Sequence, residues 1–215
     1  MSTVIALVVG GGASGEVGAD RGGGGGGEAT YDATHAVSQG DYPVVVGAAT
    51  SGEANGNDST FDTLTGDGGY YTPGGRVGGT SGSGKVGGNP PDGITGGAGG
   101  GDATAGSGST VGAGTTYWGT VYGQGGCSAA GTTHTPAANS GEGGCGGSSG
   151  GWTNGAAGKV IIRYLTADFG ACSGGTITTD GLYTVHTFTS NGTFTVVDPY
   201  SFRHGFTNFQ NPGIV

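Results

Sequence analysis

Glycine recurs at every third position over long stretches of this chain, and that period constrains the fold more than any other feature. Positions spaced by three carry glycine at seven of nine places from Gly75 to Gly99, at five of six from Gly12 to Gly27, and at four of four from Gly141 to Gly150. A repeat of three fits neither the helical nor the strand period. It is the repeat of polyproline II, an extended left-handed helix without internal hydrogen bonds.

A rod with only hydrogen on one face allows neighbouring rods to approach closely. The backbone groups of such a segment need partners outside it, and lateral hydrogen bonds between rods provide them. We therefore predict that segments 10–27, 75–101 and 141–150 pack side by side as extended three-fold helices, a polyglycine II bundle. Collagen is excluded because the glycine register breaks repeatedly and the chain holds only seven prolines.

Disorder is the alternative for a chain in which 57 of 215 residues are glycine. The glycine period argues against it, and so do five β-branched runs that are typical of strands. These runs are Thr3–Val9, Tyr42–Val46, Lys159–Leu165, Tyr183–Thr189 and Thr193–Val197.

The predicted fold class is mainly β or irregular: a polyglycine II rod bundle flanked by short β-strands. We expect almost no α-helix, because the chain has one methionine and six Lys and Arg residues in total. We predict a glycine-rich domain over residues 1–165. Residues 166–215 would form a C-terminal β-hairpin and an aromatic tail for docking or assembly.

The charge balance and the start of the chain exclude several classes of partner. The net charge is −9, and six basic residues cannot form a patch that follows a phosphate backbone, so we expect no nucleic-acid partner. The apolar run Val4–Val9 is too short for a signal peptide or a membrane span. We therefore expect synthesis in the cytoplasm without a signal peptide and no membrane insertion.

No motif in the chain favours catalysis, and we predict no enzymatic activity, no catalytic residue, no cofactor and no metal site. Residues Gly10–Gly15 satisfy the dinucleotide pattern G-x-G-x-x-G. The helix that this pattern requires cannot follow, because glycine fills most of the next positions. The four histidines stand far apart in the sequence. Cys127 and Cys145 both lie next to glycine runs, and the sequence leaves open whether they form a disulfide.

Aromatic residues interrupt the glycine stretches, and two interpretations compete for them. They are candidate receptor contacts, since exposed aromatic rings stack on sugars and anchor interfaces. Alternatively, they cover the ends of the rods. Thr115–Ala138 has the composition of an inserted surface loop, to which we assign receptor contact with neighbouring aromatics. The candidates are Tyr70, Tyr71, Tyr117, Trp118, Tyr122 and Trp152.

Five strings in a fixed order resemble the glycine-rich domain of bacteriophage tail-fibre and adhesin proteins. They are VIALVVGGGASG at 4–15, GGGGGGEATYDATHAVSQGDYPVVVGAATSG at 22–52, NGNDSTFDTLTGDGGYY at 55–71, GAAGKVIIRY at 155–164 and DGLYTVHTFTSNGTFTV at 180–196. The resemblance covers most of 4–197. In architecture the chain also resembles the T-even adhesins, whose glycine rods form a polyglycine II sandwich with variable loops at the tip.

The resemblance implies a structural protein of the virion tail fibre that contacts a receptor on the host cell surface, without enzymatic activity. Its partners would be other virion proteins, copies of itself, and a bacterial surface glycan or outer-membrane protein. Two alternatives remain open. One is a fibre-forming or capsid-decoration subunit without receptor binding. The other is an ice-binding polyglycine II protein, although threonine does not recur beside the glycine register.

The two ends of the chain are circularly permuted relative to the family, in which the hairpin of residues 184–196 precedes the strand of residues 3–12. Ser190-Asn191-Gly192 predicts a tight turn between strands Tyr183–Thr189 and Thr193–Val197. We expect this hairpin to pair with strand Thr3–Val9, because an open strand edge invites a partner. We favour pairing between chains, because a phage fibre needs a polymerising or docking end. The candidate assembly residues are Tyr183, Phe188, Phe194, Tyr200, Phe202, Phe206 and Phe209.

Overall fold

The computed structural model describes residues 2–90, 96–128, 134–147 and 151–197, and in these residues the protein is nearly all β-structure or extended chain. Its only helical element there is a 3-10 turn at Thr166–Asp168. The strands are β1 (Ser2–Val9), β2 (Ala29–Val37), β3 (Gly40–Val45), β4 (Ser59–Phe61), β5 (Leu64–Gly66), β6 (Thr115–Tyr117), β7 (Thr120–Tyr122), β8 (Lys159–Leu165), β9 (Thr176–Asp180), β10 (Tyr183–Phe188) and β11 (Gly192–Val196). The predicted mainly β fold class, with almost no helix, is confirmed.

Two antiparallel sheets pack face to face at one end of the molecule. The five-stranded sheet has the order β2-β1-β8-β10-β9, and the four-stranded sheet has the order β11-β3-β4-β5. Alternate residues of β1 and β8 point into the space between the sheets, and Phe61 and Phe194 meet them there with ring centroids 6.0 Å apart. This sandwich holds most of the bulky apolar side chains, which the glycine segments lack.

Extended glycine segments continue directly from the strands and form a second layer of structure beyond the sandwich. β1 leads into residues 10–16, and residues 22–28 lead into β2. Residues 22–27 are buried although they carry no side chain. Neighbouring chain segments therefore surround their backbone on all sides.

The hydrogen bonds of residues 22–28, here called the central rod, repeat with a period of three. Its N–H groups donate in three interleaved pairs: Gly23 and Gly26 to the carbonyls of Gly97 and Gly100, Gly24 and Gly27 to those of Gly144 and Gly141, and Gly25 and Glu28 to those of Tyr70 and Asp67. Its carbonyls accept from residues 10–16, from residues 79–82 and from Gly126. Successive groups thus point in three directions, as three residues per turn require.

The central rod has six neighbouring segments, and these segments are also bonded to one another in a closed ring. The order around the ring is 10–16, 67–70, 79–82, 97–100, 123–126 and 141–144, each joined to the next by backbone hydrogen bonds, and the last segment returns to the first. This is a hexagonal lattice of extended chains, held by the lateral hydrogen bonds that the glycine period predicts.

Two of the three predicted segments, 10–27 and 75–101, each contain a turn and therefore more than one rod. Residues 10–27 are two antiparallel rods, 10–16 and 22–28, with Gly18 and Asp20 at positive φ in the turn between them. Within 75–101 the chain turns again at Gly84, whose φ is 80°. The register therefore runs through turns and does not mark single rods. Its members Gly93 and Gly150 lie outside the described residues.

The predicted hairpin at the C-terminal end does not form. β10 pairs with β8 on one edge and β9 on the other, so β11 has no edge of β10 to join and pairs with β3 in the opposite sheet. Asn191, predicted to lie in the tight turn, accepts a hydrogen bond from the Val46 N–H at 2.9 Å where the chain crosses between the sheets.

The predicted pairing of the two ends is also different. β1 pairs with β2 and β8 of its own chain, which occupy both its edges, so β1 offers no edge for a C-terminal hairpin. β9, β10 and β11 share sheets with strands that precede residue 165. The division into domains at that residue stays a prediction. The tail residues Tyr200, Phe202, Phe206 and Phe209 lie outside the described residues.

Candidate functional site

Residues Thr115–Ala138 do not form the single surface loop that the sequence predicts. They begin with the β6–β7 hairpin, and residues 123–127 then enter the hexagonal lattice as a rod. Residues 129–133 lie outside the described residues. After them, the His134 side chain and the Ala137 N–H form hydrogen bonds with the Glu142 carboxylate. Among the described residues of this segment, the aromatic side chains are those of the hairpin, and they lie over the sheet.

The β6–β7 hairpin covers part of the outer face of the five-stranded sheet. Trp118 and Gly119 form its turn, both at positive φ (48° and 80°), which is the conformation of a type I′ turn. A non-glycine residue at positive φ costs free energy. The rest of the hairpin must therefore offset this cost to hold the Trp118 indole at its tip. Trp118 is 43% exposed.

An aromatic cluster forms where the hairpin meets β2 and β8. The rings of Tyr31 and Tyr117 stack with centroids 4.9 Å apart, and Trp118 lies edge-on to Tyr31 at 6.1 Å. The Arg163 guanidinium lies 4.0 Å from the Tyr183 ring centroid and 5.7 Å from that of Trp118. We call Tyr31, Tyr117, Trp118, Arg163 and Tyr183 the aromatic platform.

Charged groups fix the geometry of this platform. Arg163 forms an ion pair with the Asp180 carboxylate at 2.9 Å. Asp102 anchors the base of the hairpin, since its carboxylate accepts hydrogen bonds from the Thr115 hydroxyl and the Ala29 N–H. Partial burial, followed by the nearby charge of Asp102, raises the pKa of the Tyr117 phenol. The phenol is therefore neutral at physiological pH and can donate a hydrogen bond.

The other candidate residues lie in separate places. Tyr122 is only 4% exposed and packs under the hairpin against β1 and β8, with the Lys159 ammonium 5.7 Å from its ring. Its ring belongs to a small core and offers no contact surface. Burial lowers the pKa of this lysine.

Tyr70, Tyr71 and Trp152 lie on or next to segments of the lattice other than the one that the hairpin enters. Tyr70 is 47% exposed and occupies the ring segment across the central rod from residues 123–126. Trp152 is partly exposed and lines an open groove of about 570 Å³ with Asn139, Asn154 and Pro136. The six predicted contact residues therefore do not form one site; the structure brings together only Tyr117 and Trp118.

Two members of the platform, Tyr31 and Arg163, were not predicted as site residues from the sequence. Tyr31 lies on β2, opposite Leu7 of β1, and the alternation in the β2 sequence was the available signal. Arg163 lies in the predicted strand Lys159–Leu165. Strand alternation places Arg163, two residues after Ile161, on the same face of the sheet as the buried Leu7 side chain.

Comparisons with protein-family models, with curated proteins and with solved structures gave no match. Among the described residues there is no cluster of three His, Cys, Asp or Glu side chains placed to hold a metal ion. The described part of the chain also contains no helix of the length and apolarity needed to span a membrane.

Proposed function

We propose that this protein is a structural component of a bacteriophage tail fibre and that the aromatic platform contacts a receptor on the host cell surface. The assignment to a virion rests on the resemblance of the five ordered sequence strings. The observation that carries receptor contact is the 43% exposure of Trp118 at the tip of a hairpin whose turn is held at positive φ, beside Tyr31 of β2, which is 40% exposed.

The lattice supports this role because it is a rigid scaffold. The rods are held by backbone hydrogen bonds, and the hairpin continues into one of them at residue 123. Recognition residues on turns carried by rigid elements are a common arrangement in binding proteins. Exposed aromatic rings beside an arginine provide stacking surface and hydrogen-bond donors for a glycan or for a protein loop.

Binding of the purified chain to cell envelopes from a panel of bacterial strains tests the proposal. The informative variant is Trp118→Asn, because asparagine is favoured in type I′ turns and preserves the hairpin while removing the indole. We expect binding to at least one strain and a loss of tenfold or more in affinity for Trp118→Asn. Val86→Ser is the matched control, since Val86 is 61% exposed and distant in sequence from the platform.

Absence of binding to every strain, or equal binding by Trp118→Asn and the wild type, would contradict receptor contact at the platform. Binding to purified tail or head proteins in place of envelopes would support the alternative role of a fibre-forming or capsid-decoration subunit.

A further inference from the structure

We propose that β9 (Thr176–Asp180) is a self-association edge, at which a second copy of this chain adds its own β9 in antiparallel orientation. β9 is the last strand of the five-stranded sheet, and all five of its residues are exposed. Within the described residues only β10 pairs with it. This inference is independent of receptor contact.

The geometry of the β9–β10 turn determines which backbone groups of β9 point outward. Asp180 and Tyr183 pair across a two-residue turn in which Gly181 has a φ of 59°. The residues that flank such a turn form a hydrogen-bonded pair, so by alternation Thr178 and Thr176 also direct their backbone groups toward β10. The N–H and C=O groups of Ile177 and Thr179 therefore point away from the sheet.

These outward groups define one register for a symmetric partner strand. Pairing centred on Thr178 places Ile177 opposite Thr179 of the partner and uses all four outward groups of each copy. Thr178 then faces the same residue of the second copy in a pair without direct hydrogen bonds, where Cα atoms lie about 4.5 Å apart. A two-fold interface of this kind is self-complementary by construction.

The side chains are compatible with that register. Thr176 lies opposite Asp180 of the partner, so a hydroxyl donor meets a carboxylate acceptor twice across the interface. The acidic residues do not face each other, which matters in a chain of net charge −9. Opposition of like charges across a strand pair would destabilise the association.

The edge lacks three of the features by which proteins prevent such pairing, namely lysine, proline and a bulge. β9 contains no lysine and no proline, and its register with β10 is continuous, without a bulge. The other outer strand of the same sheet differs: β2 has a register irregularity against β1, and its Thr30 hydroxyl bonds to the Thr65 carbonyl of β5 at 2.6 Å. Of these two outer strands, β9 is therefore the one left open to a partner.

Cysteine cross-linking of the full chain tests both the interface and its register. Thr178→Cys places two thiols opposite each other at a separation suited to a disulfide. Thr176→Cys is the matched control, on the same face and also exposed, but its thiol would lie about 13 Å from its copy in this register. We expect covalent dimers to form at least tenfold faster for Thr178→Cys under mild oxidation, and equal or absent cross-linking would overturn the proposal.

A pair of charge variants tests the same register without thiol chemistry. Thr178→Lys places two ammonium groups opposite each other, whereas Thr176→Lys places each ammonium opposite Asp180 of the partner. We expect self-association, measured by sedimentation equilibrium, to be at least tenfold weaker for Thr178→Lys than for Thr176→Lys. Equal association of the two variants would overturn the proposal, and unchanged thermal midpoints would exclude misfolding as the cause of a difference.

Discussion

At the scale of single residues, the central rod depends on the absence of side chains. A Cβ atom added at Gly25 would overlap the Thr80 carbonyl, and one at Gly24 would overlap the carbonyl of Ala13. These obstacles are backbone atoms held in the lattice, so they cannot move aside as a flexible side chain can. Glycine is therefore a packing requirement in this rod on every face, because neighbours surround it in all directions.

Replacement of Gly25 by alanine should destabilise the protein by about 3 kcal/mol or more, or prevent folding, because the methyl group has no room. Gly75→Ala is the control: its Cβ would meet nothing closer than the Thr72 methyl group at 3.6 Å, an ordinary van der Waals contact. This change should be neutral or slightly stabilising, since alanine reduces the entropy of the unfolded chain. Urea unfolding of both variants measures the difference, and similar midpoints would contradict the lattice packing.

His186 is a buried polar residue in the core of the sandwich. Its Nδ1–H donates to the Gly174 carbonyl at 2.7 Å, and its Nε2 accepts from the Tyr164 hydroxyl at 3.0 Å. The neutral imidazole with its proton on Nδ1 satisfies both contacts. Burial lowers the pKa of His186 below its ordinary value of 6.5.

Because its pKa is lower in the folded state, His186 gives the protein a pH-dependent stability in the acidic range. Well above pH 6.5 the imidazole is neutral in both states, and its titration costs no stability there. As the pH falls below that value, the unfolded state binds the proton first, so the free energy of unfolding decreases. We expect His186→Gln to have a smaller decrease between pH 7.5 and 5 in urea titrations. An identical slope would show that other groups account for it.

At the scale of elements, the five strands predicted from β-branched runs are present, whereas β2, β4 to β7 and β9 were not predicted. Lys159–Leu165 was predicted with the observed bounds, and Thr3–Val9 differs from β1 by one residue. β6 and β7 were missed because the residues at positive φ in their turn are Trp118 and Gly119, which lack the Asn-Gly signal. Conversely, Asn191-Gly192 carries that signal but lies at a crossing between sheets, which only the tertiary pairing determines.

The site was predictable only in part for the same reason. Tyr117 and Trp118 were identified as aromatic interruptions, but their contact with Tyr31 and Arg163 depends on how the hairpin folds over the sheet. The period of three predicted the lateral hydrogen bonds. It could not predict their partners, because glycine segments carry no side chains that distinguish one neighbour from another.

The two rods that meet at Cys127 and Cys145 are joined by a disulfide, which resolves the question left open by the sequence. The two cysteines are 18 positions apart in the chain, and a cross-link closing a loop of this size stabilises a protein by about 3 kcal/mol. We expect the double variant Cys127→Ala/Cys145→Ala to lose about that amount in urea unfolding. Wild type treated with reductant should match it. No difference between oxidised and reduced protein would contradict a stabilising role.

At the scale of the whole molecule, the two halves are stabilised by different forces. The sandwich buries apolar side chains such as Val8, Ile162 and Phe194, whereas the lattice buries mainly peptide groups that bond to one another. Exposure of apolar surface raises the heat capacity on unfolding, and exposure of polar surface lowers it. A domain with a large peptide lattice therefore has an unusual thermal signature.

We expect the heat-capacity change of unfolding per residue to fall clearly below the usual range of about 12–15 cal/mol/K. The stability curve should be correspondingly flat with temperature, because its curvature is proportional to this quantity. Differential scanning calorimetry at several pH values gives the heat-capacity change from the slope of enthalpy against melting temperature. A value within the usual range would mean that apolar burial dominates the lattice as well.

The six-fold environment of the central rod also determines when the protein can finish folding. Synthesis of the central rod is complete at residue 28, but the last segment of its ring ends at residue 144. Strand β1 also pairs with β8, which spans residues 159–165. During synthesis the earliest glycine segment therefore has some of its backbone groups without their final partners until most of the chain has been made. Contacts between residues so distant in sequence slow folding. The central rod is therefore among the first segments to be synthesised but among the last to gain all of its hydrogen-bond partners.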